Sequence, residues 1–85
     1  MDISREEQRA LHALAQGGVI LVEKEGRRIV IEAHCVTRDG WYMSGFSIQL
    51  FKKLKRRRLV ASKGGGPYRI TREGLRLVRP QLDNR

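Results

Sequence analysis

Residues 47–74, SIQLFKKLKRRRLVASKGGGPYRITREG, decide how the chain reads. At the helical turn of about 100° per residue, Ile48, Leu50, Phe51 and Leu54 gather on one side, and Gln49, Lys52, Lys53 and Arg56 gather on the other. The segment up to about Arg58 is therefore an amphipathic helix with a basic outer side, capped by Ser44 or Ser47. Leu59-Val60-Ala61-Ser62 and Tyr68-Arg69-Ile70 read as short strands, joined by the flexible hairpin loop Lys63-Gly64-Gly65-Gly66-Pro67. Thr71 caps a last helix, expected to carry Leu75, Val78 and Leu82 inward, with Gly74 a weak point in its first turn and Pro80 its end or bend.

Upstream, Ser4 followed by Glu7 forms a capping box. Ala10, Leu11, Leu14 and Ala15 then share a helix side, and Gly17-Gly18 stops the helix, predicted over residues 5–16. Val19 to Val22 is apolar and β-branched, and Ile29, Ile31 and Ala33 alternate with Val30, Glu32 and His34. Glu25-Gly26 and Asp39-Gly40 are turn signals. Residues 19–43 thus read as a two- or three-stranded meander, with either Trp41 or Tyr42 facing out if they lie on a strand and the other packed in the core.

The 85 residues make one domain, 1–85, with no internal repeat or dividing linker. The fold class is α+β, in the order helix, β-meander, helix, β-hairpin, helix. The longest apolar run, Val19-Ile20-Leu21-Val22, is far short of the ~20 residues that span a bilayer. A start of Met1-Asp2 followed by Glu6 and Glu7 does not suit a secretory signal. The single cysteine, Cys35, forms no internal disulfide, and a cytoplasmic protein with no membrane partner is expected.

Charge is the unusual quantity: 18 Lys+Arg against 9 Asp+Glu, net +9. Residues 1–51 carry net −1 and residues 52–85 carry net +10. Six cations fall within the seven residues 52–58, where Lys52–Arg56 and Lys53–Arg57 repel at i,i+4. A solvated surface gains nothing from that clustering, whereas a phosphate backbone neutralises it and releases counterions. The sequence therefore points to a polyanion.

The helix followed by a glycine-tipped basic hairpin and a Thr-x-x-Gly helix resembles the back half of a winged helix, in which a recognition helix enters the DNA major groove and the wing touches backbone or minor groove. The first half departs from that pattern, since the β-meander and Trp41-Tyr42-Met43 stand where a second helix would precede the recognition helix. The whole chain also resembles a bacterial family, the YjhX-like proteins. The matching stretches are Ile3-Ser4-Arg5 with Glu7-Gln8-Arg9, Leu14-Ala15-Gln16-Gly17-Gly18, Cys35 with Thr37-Arg38-Asp39-Gly40, Phe51-Lys52-Lys53-Leu54-Lys55, Pro67-Tyr68-Arg69-Ile70 and Gln81-Leu82-Asp83-Asn84-Arg85. The resemblance implies the toxin of a toxin–antitoxin pair, acting on DNA topoisomerase, with an antitoxin as partner.

The nucleic-acid-binding set read from these residues is Gln49, Lys52, Lys53 and Arg56 on the helix, Arg57 and Arg58 at its end, and Lys63 and Arg69 on the wing, with DNA favoured over RNA. Trp41 is a candidate protein contact. The alternatives are a module that docks its basic half on an acidic protein, and an RNA- or ribosome-associated protein. Gly64-Gly65-Gly66 lacks the following Lys-Ser/Thr of a nucleotide loop and reads as a wing tip. His34 and Cys35, neighbours on a strand, point to opposite faces, so neither a zinc site nor a Cys–His nucleophile is expected. Glu6, Glu7, Glu23, Glu25 and Glu32 read as caps and surface pairs. No catalytic residue, metal or cofactor is expected, and the protein is not read as an enzyme.

Overall fold

The computed structural model describes residues 3–27 and 29–78. Helix α1 spans Arg5–Ala15 and opens on the capping box: Glu7 N donates to Ser4 Oγ (3.1 Å) and Ser4 N donates to Glu7 Oε1 (2.9 Å). It ends one residue before the predicted boundary, because Gln16 serves as its C-cap and Gly17 turns the chain at φ 109°. Strands β1 (Val19–Glu25) and β2 (Ile29–Val36) form an antiparallel hairpin. Tyr42 adds a lone bridge to Val36, so the meander has two strands and no third.

Helix α2 covers Ile48–Arg56 and is capped by Ser47, whose Oγ accepts from Leu50 N at 3.1 Å. It stops short of Arg58 for a geometric reason. Leu59 N donates to Leu54 O (3.0 Å) and Arg58 N to Lys55 O (2.9 Å), the paired bonds of a Schellman ending. That motif needs a left-handed residue where glycine is usual, and here Arg58 takes it at φ 62°. Leu59 belongs to this ending; strand β3 begins after it, at Val60–Ser62. Strand β4 is Tyr68–Ile70, and α3 is Arg72–Leu77, with Thr71 Oγ1 accepting from Gly74 N at 3.1 Å.

The fold is α+β: the described residues form three helices and a four-stranded antiparallel sheet in the order β2-β1-β4-β3. Ile20↔Tyr68 joins the two hairpins. Ile20, Ala33, Cys35, Val60 and Tyr68 are buried on one face of the sheet, together with Leu11 and Leu14 of α1 and Phe51 and Leu54 of α2. The Phe51 and Tyr68 rings meet edge to face at 4.9 Å. Fully burying side chains such as Phe51, Leu11 and Ile20 stabilises by about 1.5–3 kcal/mol each. All three described helices lie on this face, and among the described residues no helix covers the other.

Several expectations change. The register of the β1–β2 hairpin shifts between Glu23 and Lys24, with Glu32 opposite Glu23 and Val30 opposite Lys24. Ile31 is the extra residue of this bulge. The alternation therefore breaks: Val30 packs on the core while Ile29 and Ile31 are exposed. Trp41 (73% exposed) and Tyr42 (63%) both face out, because they follow a turn rather than continue a strand. Leu75 is 52% exposed. The inward face of α3 runs instead through Gly74, Leu77 and Val78, and the helix ends at Leu77 with Val78 extended. Gly74 is a packing residue: a β-carbon there would sit 2.5 Å from Leu59 O and 2.6 Å from Ile70 Cγ1. The expectations for Pro80 and Leu82 fall outside the described residues.

Candidate nucleic-acid interface

Helix α2 buries Phe51 and Leu54 and half-buries Ile48 and Leu50, which fixes its rotation on the sheet. Gln49, Lys52, Lys53 and Arg56 are then exposed within an arc of about 100°. No acidic residue lies on the helix, and basic residues fill its last turn, where they complement the dipole. Lys55, also exposed, has Nζ 5.8 Å from the centre of the Tyr68 ring, which draws it toward the hairpin.

The structure divides the rest of the predicted set. Arg57 turns inward: its Nη1 donates to Glu7 Oε2 at 2.9 Å. Lys53 Nζ lies 3.6 Å from Glu7 Oε1 while half of its side chain stays in solvent. Glu7, read from sequence as a cap and surface residue, is 1% exposed and forms an internal junction between the start of α1 and the end of α2. Burial pushes its carboxyl up, but hydrogen bonds from the Ser4 backbone and side chain and the Arg57 guanidinium outweigh this and hold it below its ordinary value. Nothing local announces the partnership, since Arg57 is 50 residues away in the chain.

Arg58 remains exposed, and its carbonyl accepts from Thr71 Oγ1 at 2.8 Å, tying the end of α2 to the start of α3. On the hairpin, Ser62 Oγ donates to Gly66 O at 2.5 Å and closes the tip. Lys63 and Arg69 come together around a shallow hollow of about 400 Å³ that also takes in Ser62, Gly66 and Pro67. Arg69 alternates with Tyr68 and Ile70, which face the helices, so it leaves the sheet on the side away from α2. The predicted set is therefore one helical arc plus Arg58, a separate hairpin locus, and an Arg57 held by Glu7.

His34 and Cys35 do point to opposite faces. His34 Nε2 bonds Glu32 Oε1 at 2.8 Å on the open side, and Cys35 is fully buried. Burial pushes the Cys35 thiol up to about 11, so it stays protonated and unreactive at neutral pH. Among the described residues, no three His, Cys, Asp or Glu side chains gather as metal ligands.

With this geometry in view, comparison with known proteins decides the family. A sequence profile described as "Putative toxin of bacterial toxin-antitoxin pair" matches residues 1–85. The chain belongs to the YjhX toxin family. It is 61% identical over 85 residues to a UPF0386 protein of Chelativorans sp. (strain BNC1), covering the whole of both chains. A UPF0386 protein of Parvibaculum lavamentivorans is 58% identical over the same full length. One from Rhodospirillum centenum is 56% identical, covering all of this chain and 99% of its own. No solved structure matches. The family resemblance drawn from the sequence motifs is thus correct from end to end. Among the described residues, no helix of this YjhX family member is long and apolar enough to cross a membrane.

Proposed function

We propose that this YjhX family member is a non-catalytic, cytoplasmic toxin that docks on duplex DNA through the outer arc of α2 and so obstructs topoisomerase. The observation that carries the reading is the exposed group Gln49, Lys52, Lys53 and Arg56 on a helix with no acidic residue. The cations neutralise phosphates, and Gln49 is suited to a base edge. Arg58 extends the arc, and Lys63 and Arg69 form a separate hairpin locus outside the docked surface. A helix packed under a glycine-tipped hairpin supports a winged-helix-like description in which α2 is the reading helix. The family's pairing gives the antitoxin as the natural protein partner.

The test is a gel shift on duplex DNA at ~100 mM salt with Lys52→Glu/Arg56→Glu, which leaves both cationic partners of Glu7, Lys53 and Arg57, in place. The parent should be retained and the variant released. Equal retention of the two defeats the proposal. A companion relaxation assay should show topoisomerase slowed by the parent and not by the variant. A second reading, docking on an acidic protein, is favoured by the exposure of Trp41 and Tyr42. A partner still captured after nuclease treatment would select it.

A further inference from the structure

Among the described residues, the face of the sheet away from the helices is partly apolar and carries charges of both signs. Its side chains form three cross-strand rungs. Tyr42, Val36 and Val19 make the first, and the antiparallel register that pairs Ile20 with Tyr68 places Arg69 beside Val19. His34 and Leu21 make the second, with the Tyr42 ring edge-on to His34 at 5.2 Å. Glu32 and Glu23 make the third, directly opposite each other. Leu21 is 38% exposed, and the neighbouring turn presents Trp41 outward. That turn is held firmly: Thr37 N donates to Trp41 O (2.8 Å) and Trp41 N to Thr37 Oγ1 (3.1 Å). Two carboxylates facing each other across strands repel, and a rigid exposed aromatic pair is an anchor without a pocket.

We propose that this face receives a second copy of the chain, as an isologous two-fold dimer. Charge selects the occupant. Contact between two α2 faces would set like charges together in a molecule of net +9, whereas the open face carries both signs at opposite ends, Glu23 and Glu32 at one and Arg69 at the other. A two-fold axis lying across the strands at the His34–Leu21 rung reverses the strand direction. The carboxylate rung of each copy then comes over the end of the other copy that holds Arg69, and Leu21 meets its counterpart at the centre. Strands about 4.8 Å apart and rungs about 7 Å apart give roughly 400 Å² per copy, below the range of tight complexes. The dimer is therefore transient and concentration-dependent, and it leaves both basic helices outward.

Sedimentation velocity on the nuclease-treated full chain, from about 5 to 500 µM, tests this. The parent should shift from monomer to dimer across the range. Leu21→Glu/Tyr42→Glu, at exposed positions and with the parent's circular dichroism, should stay monomeric. Arg69→Glu should weaken the dimer at least tenfold, and adding Glu23→Arg should restore it. Lys52→Glu/Arg56→Glu should dimerise like the parent, whether or not the chain binds DNA. A parent that is monomeric throughout overturns the proposal and gives the face to another partner such as the antitoxin. A dimer that survives Leu21→Glu/Tyr42→Glu overturns it too.

Discussion

At the scale of a residue, Glu7 does the work of several. It closes the capping box, neutralises Arg57 and borders Lys53, all while buried. Its folded-state pKa lies below the ordinary value of 4.5, so its contribution is fully present above that value and is lost as pH falls through the lowered one. Glu7→Gln keeps the shape and removes the carboxylate charge that Arg57 and Lys53 meet; it should cost about 1–3 kcal/mol at neutral pH. Thermal melts from pH 7 to pH 3 should show the parent losing this margin on acidification and the variant starting without it. The capping role was legible four residues from the N-terminus, because caps are local chemistry. The ion pair was not, because it exists only once two helices 50 residues apart are folded together.

At the scale of the element, the chain's punctuation was largely readable: the caps Ser4, Ser47 and Thr71, the periodicity of α2 and the glycine hairpin all rest on contacts between near neighbours. What escaped depends on register or on close approach. The bulge at Ile31 reverses which side chains face in, and the inward face of α3 is set by how closely Gly74 can approach Leu59 and Ile70. This separates two expectations for Gly74→Ala. Helix propensity alone favours alanine by about 1 kcal/mol, while intrusion on a backbone oxygen 2.5 Å away costs about 1–3 kcal/mol. The denaturation midpoint should fall. Arg58→Gly should do the reverse. Relief of the left-handed backbone gains about 1–2 kcal/mol, against about 0.4–1 kcal/mol of added chain entropy, so the midpoint should rise while DNA retention weakens. The same candidate site was thus half legible: the arc from Gln49 to Arg56 follows from helical spacing, whereas the inward turn of Arg57 and the separate direction of Arg69 follow from tertiary layering.

At the scale of the whole molecule, helices on one face and an open sheet on the other explain why the two readings occupy different surfaces. The α2 arc is cationic and polar, and the sheet face is mixed and aromatic, so a polyanion and a protein partner need not compete. The expectation that Trp41 or Tyr42 would fill the core fails for a related reason, since among the described residues no second layer on this side of the sheet receives them. The layering has a kinetic consequence as well. Lys52, Lys53, Arg56 and Arg58 sit together, while Glu23 and Glu32 sit on the far face, so the molecule carries a built-in electric polarity. In the field of any polyanion it experiences a torque before it experiences a contact, and collisions that begin sheet-first are turned helix-first during approach. Ionic strength then governs how often encounters succeed and, through the phosphate contacts of the bound state, how long they last.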